Sequence, residues 1–365
     1  MKRYLTGFAR IKSKDFSKVS VQFLKKITSI IGIIFLLVFF FVCFEVYIPI
    51  NPGSHETIIF TVQKGWSDDE IASNLQKLGI IRSGYFFKFY AILSLKHSQL
   101  QAGEYNLSPK MSAHQIANKM AQGDVIRDKL VILEGWDIKD IGKYLESKDI
   151  CKQDYFIFLA KKDYSGEFNF LNPPAGGKPK DVDLEGYLFP DTYEIGKGET
   201  CEDVLSAMLA NFDKKLTPEL RAEIKNFTLT PKFGVGARKS IFDIVTMASL
   251  LEKEVRTLDD KKIVSGILWK RLSIDMPLQL DATVNYITGK SDPSVSIKDT
   301  KIDSPYNTYK YRGLPKGPIS NPGINSIIAA IYPTQTNYWY YLSDGKTIFS
   351  ETLEQHNAAK AKYLQ

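Results

Sequence analysis

The stretch that most limits what this chain can become is "ITSIIGIIFLLVFFFVCF", residues 27–44, eighteen residues without a charge. A run of that length is close to the minimum for a helix crossing a bilayer, and "VYIPI" extends it beyond Glu45. A cleaved signal peptide would have a shorter apolar core ending in a small-residue cleavage site, which the sequence lacks. Eight basic residues precede the run (Lys2, Arg3, Arg10, Lys12, Lys14, Lys18, Lys25 and Lys26) against one acid, Asp15. The excess of positive charge predicts a cytoplasmic N-terminus. The expected organisation is therefore a basic tail over 1–26, a membrane span over 27–49, and everything after about residue 50 outside.

The same bookkeeping removes one class of partner. The chain carries +7 overall, but that tail accounts for all of it, leaving forty residues of each sign in the remainder. No nucleic-acid footprint is expected on a neutral folded part. Four scattered histidines (His55, His97, His114 and His356) lack metal-ligand spacing, so no metal is expected. Cys151 and Cys201 lie beyond the span, and the sequence leaves open whether they pair.

Beyond a short linker, "NPGSHET" at 51–57, the chain repeats itself. "FTVQKGWSDDEIASNLQKLGII" (60–81) matches "LVILEGWDIKDIGKYLESKDIC" (130–151) at a constant offset of 70, with Gly65-Trp66 on Gly135-Trp136, Ile71 on Ile141 and Leu75 on Leu145. Each copy reads as a β-branched strand, a Gly-Trp turn and an amphipathic helix. "YNLSPKMSAHQIANKM" (105–120) then matches "YEIGKGETCEDVLSAM" (193–208) at an offset of 88, the difference being an insertion around "DYSGEFNFLNPPAGGKPKDVD", read as a loop over the surface or near a groove. The first copy, over 58–125, resembles a LysM module, a carbohydrate-binding unit that often begins "TVxxGDT…IA". Here Trp66 and Ser67 replace the usual Asp-Thr. Over 130–210 the chain partly repeats that unit.

From residue 240 the character changes. A helix over about 240–256 is followed by "DDKKIVSGILWKRLS", with Asp259 or Asp260 as the expected cap. Irregular sequence runs to 325, and the chain closes with "NSIIAAIY" and a hairpin about Asp344-Gly345. On a wheel of the 240–256 helix, Ile241, Ile244, Val245, Ala248, Leu251 and Val255 share one arc about 120° wide, which should be buried. Glu252 falls inside that arc and Glu254 on the opposite side. A carboxylate on an apolar stripe is pushed towards its neutral form, as a general acid requires. The competing reading is an ion pair inside the fold, with Arg256 or Arg271 as partner.

Two further stretches bear on a groove. "MPLQLDATVNY" places Gln279 and Asp281 two apart, pointing the same way if extended. "SPYNTYKYRGLPKGPISNPG" gathers Tyr306, Asn307, Tyr309, Tyr311 and Arg312 in a loop with four prolines. Rings and amides suit sugars, although such a loop also packs its tyrosines inward. "EGYLFPDTYEI" adds Glu185 and Asp191.

The ordered set "EGW", "EGYLFPDTY", "ASLLEKE", "RLSIDMPLQLDATVNY", "SPYNTYKYRGLPKGPISNPG" and "YWYYLSDGKTIFS" resembles the endolytic murein transglycosylases, the MltG or YceG-like family. The resemblance covers most of the chain beyond the span and implies an α+β catalytic domain over 126–365. It implies a lytic enzyme that cuts nascent peptidoglycan between N-acetylmuramic acid and N-acetylglucosamine, leaving 1,6-anhydro ends and needing no cofactor. The family's catalytic glutamate lies in "EKE", carried here to Glu252, with Gln279, Asp281, Tyr306 and Asn307 as substrate-binding positions. The implied setting is the cytoplasmic (inner) membrane with an extracytoplasmic domain. Its expected partners are glycan strands and the peptidoglycan synthases. A muramidase using Asp281 or Glu254 as second carboxylate, or a non-catalytic peptidoglycan-binding scaffold, are the alternatives.

Overall fold

The structure, a computed structural model, describes residues 13–172, 177–229, 237–290, 295–344 and 346–363. The chain divides into two compact units, residues 1–127 with 196–198, and residues 128–195 with 199–365.

The first unit opens with α1 (Ser13–Tyr47). Within it, Phe23–Tyr47 is long and apolar enough to cross a membrane. Then come β1 (Ile58–Val62), α2 (Asp68–Lys77), α3 (Gly84–Leu93), β2 (Gly103–Leu107) and α4 (Ala113–Ala121). β1 and β2 pair antiparallel, with Phe60 opposite Tyr105. The alternation of β1 and β2 sends Phe60, Val62, Tyr105 and Leu107 inward, onto Ile71, Leu75, Phe87, Ile116 and Met120. The linker is tied down at Asn51, whose N–H donates to Pro109 O at 3.0 Å.

The second unit begins with the same order of elements: β3 (Arg127–Val131), α5 (Ile138–Ser147), α6 (Gln153–Ala160), β4 (Thr192–Gly196) and α7 (Cys201–Lys215), with β3 paired to β4. α5 starts and stops 70 residues after α2. The turns before these two helices use Gly65 and Gly135 at φ +91° and +82°, a left-handed conformation that a Cβ would strain. The helix starts repeat too. Ser67 and Asp137 form capping boxes with Glu70 and Asp140, and Ser112 and Thr200 do so with Gln115 and Asp203. Each cap satisfies helix N–H groups that have no partner inside the helix, worth about 1 kcal/mol.

The insertion, read as a loop over the surface or near a groove, is partly core. Phe170 and Leu171, in a turn of 3₁₀ helix, are buried, and the Phe170 ring packs on Tyr187 and Phe212. Residues 173–176 lie outside the described residues. Cys151 and Cys201 form a disulfide with Cα atoms 5.8 Å apart, joining the approach to α6 to the first residue of α7.

α8 (Pro218–Asn226) and the short strands β5 (Thr228–Leu229) and β6 (Ala237–Arg238) lead into the core helix α9 (Ile241–Glu254). Then follow α10 (Leu258–Ser273), α11 (Asp281–Thr288) and α12 (Ile324–Ile331), the hairpin β7 (Tyr340–Asp344) and β8 (Lys346–Ser350), and α13 (Leu353–Tyr363). The cap of α10 is Thr257, whose hydroxyl accepts from Asp260 N–H, and Asp259 and Asp260 occupy the first turn instead. Asp344 pairs with Lys346 across the hairpin, and Gly345 lies outside the described residues.

Candidate active site

α9 has no solvent face through its middle: every residue from Ile244 to Leu251 is buried. Wheel positions therefore do not separate a wet side from a dry one, and the environments expected for the two glutamates are reversed. Glu252 meets an ion pair, although the partner is neither Arg256 nor Arg271. Lys261 of α10 lies 2.8 Å from Glu252 Oε1, the two side chains being 3% and 8% exposed. Glu252 Oε2 accepts from Gly323 N–H at 3.0 Å and from the Ser326 hydroxyl at 2.7 Å. Gly323 is the N-cap of α12, so the carboxylate also meets the positive end of that helix. Both oxygens of Glu252 are occupied by donors from the scaffold.

Glu134, of "EGW", closes the other side of this cluster. Burial, and then the charge of Glu252, raise its pKa. A Cβ on Gly323 would stand 1.9 Å from Glu134 Oε1, so a larger residue there would displace the Glu134 side chain. Asn321 holds the same loop down. Its Nδ2 donates to Glu185 Oε1 at 2.8 Å and to Trp136 O at 3.0 Å, and its Oδ1 accepts from Gly186 and Leu188 N–H, both at 2.9 Å. Glu185, 1% exposed, also accepts from Ile138 N–H at 3.1 Å. Its carboxyl is raised well above the ordinary range, first by burial. Glu185 thus joins three segments far apart in sequence and belongs to the framework. Asp191 accepts from Asn211 and pairs with Lys215, both at 3.0 Å.

Glu254 has the environment expected of its neighbour. Burial pushes its pKa up to about 7. The Tyr341 hydroxyl of β7 donates to Glu254 Oε2 at 2.8 Å and opposes that rise. The nearby charge of Asp281 adds to the rise, while Ala282 N–H in the first turn of α11 and Arg271 oppose it. Arg271, 6% exposed, donates from Nε and Nη2 to Trp339 O (2.9 and 2.6 Å) and from Nη1 to Leu278 O (2.8 Å). It therefore fastens the residue before the hairpin to the approach of α11, the two segments that deliver Tyr341 and Asp281.

The four groove positions separate. Asp281 reaches the Glu254 cluster, where the Tyr309 hydroxyl donates to its Oδ1 at 2.5 Å. It does so as the first residue of a helix, and Gln279 has φ +53°, so the extended segment expected there is absent. Gln279 is exposed, its N–H donating to Thr308 O at 3.2 Å. Asn307 is fully buried and spent on its own loop: Nδ2 donates to Thr300 O (3.0 Å) and Ile302 O (2.8 Å), and Oδ1 accepts from Tyr309 N–H (3.0 Å). A side chain so committed has nothing left for a ligand. Tyr306 packs its ring 5.1 Å from Tyr286, and burial followed by Asp183 pushes its hydroxyl up to about 12. It belongs with Asp183 and Glu185, not with the group around Glu254.

Periodicity missed Tyr341 of the hairpin and Ser326 of α12, because both arrive by tertiary packing. Lys261 carried a readable signal, since it shares a stripe with Val264, Ser265 and Leu268 at i, i+3, i+4 and i+7.

Comparison with known proteins agrees with this architecture. The profile of the YceG-like family matches residues 60–362. An endolytic murein transglycosylase from Bacillus subtilis (strain 168) is 34% identical over 330 residues, 87% of each chain. One from Streptococcus pneumoniae serotype 2 is 31% identical over 345 residues, 87% of this chain and 60% of that protein. The crystal structure of a yceG-like protein from Listeria monocytogenes superposes with a TM-score of 0.55 at 33% identity, covering 84% of this chain and 99% of that one. A mixed helix-and-strand fold is thus shared with that yceG-like protein. The chain belongs to the YceG-like family.

Proposed function

We propose that the chain is an endolytic murein transglycosylase with Glu254, in place of the expected Glu252, as its general acid and base. The observation that carries this is the Glu254 carboxyl, poised near neutrality beside Asp281 and hydrogen-bonded by Tyr341. A group with a pKa of about 7 holds a proton at working pH and can also give it up. Glu254 protonates the oxygen of the MurNAc-β-1,4-GlcNAc bond, and the leaving GlcNAc departs. The resulting carboxylate takes the proton of the muramyl C6 hydroxyl as that oxygen closes on C1, giving the 1,6-anhydro end. The sugar supplies its own nucleophile, so a single carboxyl suffices where a hydrolase needs two. Asp281 and Gln279 are proposed to line the strand near Glu254.

The apolar helix at the N-terminus supports a single-pass anchor in the cytoplasmic membrane, the basic tail inside and the chain after about residue 50 outside. The strand-helix-helix-strand order of the first unit supports a LysM-like module that engages the glycan. Nascent strands near the synthases are the substrate such an anchor favours.

Mass spectrometry of glycan products tests the assignment. Wild type and Glu252→Gln are expected to leave anhydro ends, and Glu254→Gln none. A muramidase is the second reading, favoured by the closeness of Asp281 to Glu254, and would give products heavier by one water that vanish in Asp281→Asn.

A further inference from the structure

α3, "GYFFKFYAIL", is apolar on two sides. Gly84, Phe87 and Ala91 are buried in the first unit. The opposite side carries Tyr85 (73% exposed), Phe89 (41%), Ile92 (50%) and Leu93 (72%). At 100° per residue these four lie within an arc about 100° wide, and Leu95 (73% exposed) follows directly. Soluble surfaces seldom leave so continuous an apolar stripe in water.

What borders the stripe identifies what covers it. Phe86, at its edge, stacks edge-on against Phe41 of α1 with centroids 5.6 Å apart, and Tyr90 meets Tyr47 at 6.2 Å. Arg82, just before α3, donates to Ile48 O at 2.8 Å and Pro49 O at 2.6 Å, its guanidinium 4.5 Å from the Phe44 ring centre. The end of α1 and the start of α3 are therefore packed directly on one another. Phe41 lies six residues before Tyr47, the last of the apolar span, or roughly 9 Å of helix rise. Phe86 is level with it. The one charge on α3, Lys88, is paired with Asp69 at 2.6 Å. Tyr85, Phe86, Phe89 and Tyr90 have the aromatic character favoured where acyl chains meet headgroups.

We propose that the exposed stripe of α3 lies in the outer-leaflet interface of the bilayer that α1 spans. The first unit then touches the membrane twice, through the span and through a short interfacial helix. This rests on the reading of α1 as a membrane span.

The full chain, reconstituted in phosphatidylcholine–phosphatidylglycerol nanodiscs, tests it with lipids brominated near the headgroup or near the chain end. Phe89→Trp and Leu93→Trp sit at exposed positions and leave the buried face intact, and the wild-type spectrum is subtracted. Both variants are expected to show blue-shifted emission, most of it quenched by bromine near the headgroup. Red-shifted, unquenched emission overturns the proposal. Blue-shifted but unquenched emission overturns it as well, because protein rather than lipid then covers the stripe. Phe35→Trp, inside the span, separates the two readings. Quenching there by bromine near the chain end upholds the span whatever α3 does, and its absence overturns both.

Discussion

The hydroxyl of Tyr341 donates to Glu254 Oε2 across 2.8 Å and 87 residues of chain. The last hairpin of the protein thereby fixes one oxygen of the carboxyl that ends α9. Tyr341 helps hold Glu254 down towards its ionised form, against burial and Asp281. In Tyr341→Phe the Glu254 pKa should move above about 7. The basic limb of the kcat/KM–pH profile, which reports the free enzyme, should shift upward with it. An unchanged limb with a lower rate would reduce Tyr341 to packing alone.

Glu252→Gln leaves Lys261 buried opposite a neutral amide. Breaking a buried pair from one side costs about 3–5 kcal/mol, and thermal denaturation in micelles should show a loss of that order. Products from the folded fraction should keep their anhydro ends. If Glu252→Gln instead remains as stable as wild type and loses all activity, the roles assigned to the two glutamates are wrong.

Glu254 links stability to pH in the opposite sense from an ordinary paired carboxylate. Its folded pKa, about 7, lies above the value of 4.5 expected in the unfolded chain. Its contribution is therefore fully present below pH 4.5 and is lost as pH rises through about 7. Glu254→Gln removes this cost, so the variant should be more stable than wild type at pH 8 by roughly 1–3 kcal/mol in urea unfolding. At pH 4.5 the two should be nearly equal. Identical differences at both pH values would contradict a buried, titrating carboxyl.

The Cys151–Cys201 disulfide closes a loop over 50 residues of sequence. Replacing both cysteines by serine should lower stability by about 2–4 kcal/mol, mainly through the freer unfolded chain. Urea titration of oxidised wild type and the double variant measures this. Equal midpoints would mean that α6 and α7 are held by packing without the bridge.

Much of the architecture was legible because it repeats or alternates. The offset of 70 located α5 from α2, and alternating residues about Asp344 located the hairpin. The site was harder. The wheel of α9 correctly made Glu252 exceptional, but it assumed water on the far side, where β7 and α11 instead enclose Glu254. Gln279 and Asp281 were read as extended because nothing local announces the left-handed turn at Gln279. Asn307 looked like a groove amide, and its duties to Thr300 O and Ile302 O exist only once the loop has closed.

Two residues along an α-helix amount to a turn of roughly 200°, so "EKE" sends its carboxylates to opposite sides of α9. One is gripped by Lys261 and the start of α12, the other by Tyr341. Substitutions can disable either grip separately. Inserting or deleting one residue within α9 would rotate both by about 100°, breaking scaffold and chemistry in one event. This helix should therefore vary by exchange of residues and hardly ever by change of length.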